Sequence, residues 1–387
     1  MLSVRGCRIV VGALSIALGA GTASAKTLAK LLGAGGSEPV ADALAGAVGR
    51  ALPLVSASSG VVYSYDPTSG AFVRETSILG QLFLERAQPL GKNRLNVNVS
   101  YQWVHIDTFD GKDVGTLRDT THPLQPDPKF PDNSQIFPLF DIDLTTHQTT
   151  ASATYGLTDD IDLNLTVPLL VSDFSRHSIQ IGNPGTQLAA KSEATLGDTK
   201  IGFGDVFLRG KYRALDRDDV QAALGLVLRL PAGNKENFQG TGEVDVAPRV
   251  YLSSRPLRVA GAIQVQAYLN AGITFRTDDV SESDATYGVG IDCGVPERAT
   301  AAVAFLGRSD FARIAPAGSL SFRRSDGTSR PIFGIEDRRG DVLDLSIGGR
   351  ANLWRGIVIG FANVIVALND DGVRSDVIPM IGVEASF

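Results

Sequence analysis

The chain has 387 residues, is 43% hydrophobic and 20% charged, and carries a net charge of −6. With no basic surplus to neutralise phosphates, the composition argues against nucleic acid as a partner. Past the N-terminus no apolar run reaches the roughly 18 residues a membrane helix needs, so a membrane protein built from this chain must be a closed β-barrel.

In chain order, Arg5 and Arg8 precede an apolar run from Ile9 to Ala20, and Ala23-Ser24-Ala25 supplies a small-residue cleavage pattern. Residues 1–25 are expected to be a cleaved signal peptide, which implies export to the outer membrane of a Gram-negative cell. Cys7 leaves with it, so Cys293 becomes the lone thiol, expected to pack among its strand neighbours. Residues 26–59 are Ala/Gly-rich. Ser37 and Pro39 mark a helix start, Val40, Leu44, Ala47/Val48 and Ala51 recur at helical spacing, and Pro53 ends the helix. This segment is either a disordered leader or a small plug entering a barrel from below.

Residues 60–387 read as the barrel, because a two-residue period takes over. In Arg94-Leu-Asn-Val-Asn-Val-Ser-Tyr-Gln-Trp103, the side chains Leu95, Val97, Val99, Tyr101 and Trp103 share one face and Asn96, Asn98, Ser100 and Gln102 the other. The run is about the 9–11 residues of a tilted membrane strand. Ile161 to Val171, Val220 to Leu230, Val244 to Leu252, Val259 to Phe275 and Leu343 to Leu353 alternate likewise. Short turns near residues 89–93, 157–160, 216–219, 255–257, 296–298 and 355–356 alternate with long loops at 109–139, 176–197, 232–242, 277–284, 310–340 and 370–376. Short turns belong on the periplasmic side and long loops outside. Counting back from the last strand, with residues 60–65 and 78–87 as the first pair, gives an all-β antiparallel transmembrane barrel of about 14 strands. If residues 60–65 are not a strand, about 12 is the count. The carboxyl end, with Val377, Pro379, Ile381, Val383, Ala385 and Phe387 on one face, resembles the terminal strand that the barrel-insertion machinery reads. That machinery and outer-membrane lipid are the expected partners.

Chemistry is sparse. The four histidines, His105, His122, His147 and His177, show no metal-ligand spacing, and no G-x-S-x-G or HExxH is present. Neither a catalytic residue nor a cofactor or metal site is expected. His147 with Asp141 and Asp143 could imitate the pair of an outer-membrane hydrolase, but polar rim residues are the simpler reading. The alternation instead points charges inward: Arg209, Lys211, Arg213, Glu243, Asp245, Arg249, Arg258, Arg276, Asp344, Arg350 and Glu384. Such charges either pair across the lumen and hold the wall together or form an ion-selectivity filter. The strand at 357–368 is apolar on both faces, so one face must line the lumen, through Val358, Val364, Val366 and Leu368. Ile378 and Met380 beside it, with Leu79 and Phe83 on the first long strand, extend that apolar wall. Such a wall suits either a greasy solute or a plug packed against it.

The segments Gly202-Phe-Gly-Asp-Val-Phe-Leu-Arg-Gly-Lys-Tyr-Arg213, Leu226-Val-Leu-Arg-Leu-Pro-Ala-Gly233 and Tyr155-Gly-Leu-Thr-Asp-Asp-Ile-Asp-Leu163 resemble the outer-membrane transporters grouped with the meta-pathway of phenol degradation, which are loosely similar to FadL-type channels. The resemblance spans roughly residues 155–387 and implies a channel for passive uptake of hydrophobic or aromatic small molecules. It carries over no binding residue. A polar-solute porin is the alternative from the residues alone.

Overall fold

The computed structural model describes residues 27–33, 38–58, 60, 63–66, 71–74, 78–118, 135–183, 191–311, 321–323, 329–331, 340–355 and 357–387. The expected signal peptide lies outside them. Twelve strands form the wall: β1 (Leu95–His105), β2 (Gln135–Gly156), β3 (Ile161–Asn183), β4 (Val206–Asp216), β5 (Val220–Leu230), β6 (Asp245–Ser254), β7 (Ile263–Arg276), β8 (Asp284–Val295), β9 (Ala299–Asp310), β10 (Asp341–Trp354), β11 (Val358–Ala367) and β12 (Val377–Ser386). Each pairs antiparallel with the next in sequence, and β12 pairs with β1, so the meander closes. Two further strands, Leu117–Arg118 beside β2 and Lys191–Phe203 beside β3, bring the connected path to fourteen. Closure leaves no sheet edge to hydrogen-bond with lipid, which is the condition for crossing a bilayer with strands.

Burial is inverted relative to a soluble sheet. On β1 the apolar Val99 is 44% exposed while its polar neighbour Asn98 is 5% exposed. The same holds for Leu163 and Leu165 against Asp162 and Asn164, and for Ile381 and Val383 against Glu384. Hydrocarbon solvates the first set, and the interior holds the second. Among the described residues no helix is long and apolar enough to cross a membrane.

Two parts of the chain behave otherwise than the alternation suggests. First, β2 and β3 run for 22 and 23 residues, so much of the stretch expected as a loop at 176–197 continues as paired strand. At about 3.3 Å per residue these strands are roughly twice the length a bilayer needs and project beyond it on the long-loop side. Second, residues 78–87, expected as a wall strand, form no strand and run through the lumen, while Tyr63–Asp66 pairs only with Ala71–Arg74 in a separate hairpin. That is why twelve strands close the ring, the count expected if residues 60–65 are not a wall strand, while the connected path holds fourteen. The wall then begins at Leu95, after a tight approach in which a Cβ on Gly156 would run into the carbonyl oxygen of Gly91.

Two helices precede the lumen segment: α1 (Leu28–Gly33) and α2 (Glu38–Ala51). Leu28, Leu31, Ala45 and Val48 are buried in a cluster with Ile106, Val114, Ile142, Phe174, Phe238 and Val373. These partners lie at the long-loop end. The helices therefore cap that end, where entry from below was expected, and the chain descends from there into the barrel.

Candidate functional site: an occupied lumen

The interior is filled by residues 52–58, Gly60 and residues 78–90, threaded without helix or strand. Such chain satisfies few of its own backbone groups, Ser56 N on the Leu82 carbonyl at 2.8 Å being one case, and the wall supplies partners for others. It does so on nine of the twelve strands. Gln102 on β1 and Gln148 on β2 donate to the Pro53 carbonyl at 2.8 and 3.4 Å, and Thr154 Oγ1 donates to that of Ala57 at 2.8 Å. Arg209 on β4 donates to the Val55 carbonyl at 2.9 Å. In the returning segment, Leu79 N donates to Thr300 Oγ1 at 2.8 Å, Glu85 N to Asn270 Oδ1 at 2.6 Å, Ala87 N to Ser253 Oγ at 2.7 Å and Leu90 N to Asp162 Oδ2 at 2.9 Å. Gln81 Nε2 reaches the carbonyls of Ile291 on β8 and Val303 on β9 at 3.0 and 3.1 Å. Apolar contacts serve β5 and β11: Ala87 clusters with Ala223 and Tyr251, and Leu79 packs on Ile359. Leu84 sits over Gly288 and Gly290, where a Cβ would come within 2.6 and 2.8 Å of its methyl groups.

Two charged latches hold this segment. Arg350, on β10, pairs with Glu384 on β12 at 3.1 Å and also donates to the carbonyls of Gln81 at 2.7 Å and Ser58 at 3.4 Å. Glu384 in turn accepts from Gly60 N at 2.7 Å. The second latch is Glu85. Its carboxylate accepts from Ala57 N and Ser58 Oγ, both at 2.5 Å, and lies 3.7 Å from Arg209 and 3.9 Å from Lys211. Burial pushes the Glu85 carboxyl up, but Lys211, Arg209 and the two hydrogen bonds together hold it below its ordinary value. Lys211 also reaches Asp162 at 3.5 Å and the carbonyls of Arg86 and Gln88 at 3.1 and 3.3 Å.

Between this segment and the wall lies a cavity of about 320 Å³. Leu54, Val55, Phe83, Leu84, Phe207, Val227, Tyr251 and Leu306 give it an apolar lining, and Ser56, Glu85, Arg209, Arg249, Asn270, Thr286 and Tyr287 bring polar groups to it. A second space of about 160 Å³ shares Phe207, Val227, Arg249 and Thr286 with it and is ringed by Arg50, Arg229, Arg276 and Arg308 with Asp245 and Asp284. Most of these charges pair: Arg229 with Asp205 at 2.7 Å and Asp245 at 3.8 Å, Arg276 with Asp284 at 3.2 Å and Glu282 at 3.3 Å, and Arg50 with Glu282 at 3.3 Å.

Arg209, Lys211, Asp245, Arg249, Arg276, Arg350, Met380 and Glu384 all lie on inward-facing positions, and Arg213 closes the short-turn rim through Asp160 at 2.7 Å and Asp216 at 3.1 Å. Several expected positions differ. Arg258 is exposed on a small hairpin beyond β6, because the chain reverses at Gly261, with φ of 54°, before β7 begins. Val364 and Val366 belong to the outward register of β11. Pairing sets Asn363 opposite Met380 and Phe361 opposite Gly382, and Asn363 bonds Ser346 at 3.0 Å inside the barrel. Ile359, Phe361 and Ile365 therefore supply the apolar inner face. Phe83 is in the lumen, but on the threaded segment rather than the wall. Leu79 is misplaced in the same way.

Sequence reasoning missed Glu85, Arg86, Tyr251 and Tyr268 as interior groups. Adjacent charges at 85 and 86 would put one of them in lipid on any strand, and that was the available signal. Cys293 faces outward and exposed rather than packing among neighbours. His147 also faces outward, 2.7 Å from the Tyr101 hydroxyl and 3.9 Å from Asp173, while Asp143 lies nearer His105 at 3.8 Å. Among the described residues no cluster suited to a metal ion occurs.

A closed antiparallel meander with an apolar exterior and a polar, occupied interior defines a transmembrane β-barrel of the outer-membrane type. Structural comparison returns proteins of that kind: an outer membrane channel from Pseudomonas putida F1 (14% identity, TM-score 0.47, covering 78% of this chain and 98% of that one), the NanC porin (8%, 0.35, 75% and 98%) and a Pseudomonas aeruginosa FadL homologue (9%, 0.33, 76% and 90%). No family model matches the chain, and no curated protein sequence matches it. None of the lumen residues takes a role from these neighbours.

Proposed function

We propose that the protein is an outer-membrane channel for passive uptake of hydrophobic or aromatic small molecules, in which residues 52–58 and 78–90 form a gate. The observation that carries this reading is the cavity of about 320 Å³ between that segment and the wall. A water-filled porin would line its passage with polar groups throughout, whereas Phe83, Phe207, Tyr251, Leu84 and Leu306 make much of this cavity's wall apolar. The phenol-degradation resemblance of the sequence agrees with it. Charges at the latches serve to hold the segment and the wall together.

The test is uptake of a panel of aromatics into vesicles carrying the purified protein, beside its conductance in planar bilayers. The proposal expects aromatic flux with little ionic current. Large ohmic conductance that deletion of residues 26–59 leaves unchanged would replace it with a polar-solute porin. The arginine-ringed second space is the observation that favours that alternative.

A further inference from the structure

The cavity is apolar on most sides but not neutral. Two arginines, Arg209 and Arg249, line it, and Glu85 is its single carboxylate. Arg209 is occupied by Glu85 and the Val55 carbonyl. Arg249 is placed differently from the other inward arginines. It donates to the hydroxyls of Thr286 and Thr274, at 3.0 Å for the latter, and no carboxylate pairs with it among the described residues. The two threonines come from β8 and β7, so the guanidinium is braced from two strands at the point shared by the apolar cavity and the charged space. A half-buried cation that no carboxylate contacts directly is costly to keep, Asp284 acting on it only from a distance, and a positioned guanidinium is suited to a carboxylate.

We infer that Arg249 is the anchoring group of a binding site for compact aromatic acids, the ring lying against Phe207 and Tyr251 and the carboxylate on the guanidinium. This deepens the channel reading and rests on it. The volume limits the ligand: about 320 Å³ is the space of about ten waters at roughly 30 Å³ each, and stands at the lower end of the roughly 300–1,000 Å³ of small-molecule sites. One or two rings with a short acidic arm fit it.

The experiment is calorimetric titration of the full chain in detergent with hydrocinnamate and with its neutral amide, at neutral pH, repeated on Arg249→Gln and Arg249→Lys. The acid should bind about tenfold or more tighter than the amide, as a charge-assisted contact requires. Arg249→Gln should abolish the preference and Arg249→Lys, which keeps the charge, should restore part of it. Equal binding of acid and amide by the native chain overturns the inference, as does a preference that survives in Arg249→Gln. Vesicle uptake of toluene on the same preparations separates the two readings. Toluene flux without an acid preference removes the Arg249 site and leaves the channel, whereas absence of flux for every aromatic removes the channel.

Discussion

Replacing Arg350 with Met tests whether the threaded segment is held by the wall. The Arg350 side chain is 2% exposed and that of Glu384 is 1% exposed, with Nη1 to Oε2 at 3.1 Å. Arg350→Met leaves the Glu384 carboxylate buried with Gly60 N as its remaining hydrogen-bond donor among the described residues, at 2.7 Å, and takes a donor from the Gln81 carbonyl. Breaking a buried pair from one side costs about 3–5 kcal/mol, because the stranded charge has lost its compensation. The neutral double variant Arg350→Met/Glu384→Gln should recover about 2 kcal/mol of that, since no ion then remains to be desolvated. Urea titration in lipid vesicles reads the stability, and hydrogen exchange over residues 56–60 and 78–82 reads the release of the segment. A single variant that costs less than about 1 kcal/mol, or a double variant no more stable than the single, would refute the reasoning.

Other consequences are equally direct. The Glu85 carboxyl is held below its ordinary value of 4.5, so its contribution is complete above that pH and is lost as pH falls through the lower folded value. A nitroxide at Gln88 should therefore stay immobile at neutral pH and gain mobility in acid, while Glu85→Gln should be mobile at both; an immobile label throughout would contradict the latch. Gly290→Val places a Cβ 2.8 Å from Leu84 Cδ1 and should cost about 1–3 kcal/mol, partly regained by adding Leu84→Ala; a costless Gly290→Val would mean Leu84 does not seat there. In a Cys293→Ser background, a fluorophore on Val364→Cys should be quenched by brominated lipid and one on Ile365→Cys should not; the reverse result would invert the register of β11.

Much of the wall was legible because lipid and lumen impose opposite chemistry on alternate residues. Leu95 to Trp103 on β1 shows this without ambiguity. Where both faces are apolar the alternation loses its information, and the choice between Val364 and Ile365 passed to the pairing of Asn363 with Met380. Residues 78–87 misled for a related reason. A segment surrounded by barrel wall is apolar where it packs, at Ile78, Leu82 and Leu84, and so imitates a strand at two-residue spacing. Its long-range partners, Thr300, Asn270 and Ser253, are ordinary inward-facing wall residues, and nothing local marks them as receptors for backbone N–H groups. Inward charges were readable as a set. Their pairing was not, since Arg350 and Arg249 look alike in sequence and differ only in what neighbouring strands bring to them.

The central claim is that residues 78–90, though without regular secondary structure, are an ordered part of the barrel interior. Amide hydrogen exchange of the detergent-solubilised full chain tests it most directly. The amides of Leu79, Glu85, Ala87 and Leu90, each bonded to a wall side chain, should exchange on the slow timescale of the strands. Exchange of those four at the rate of an unstructured peptide, with the wall still protected, would contradict it.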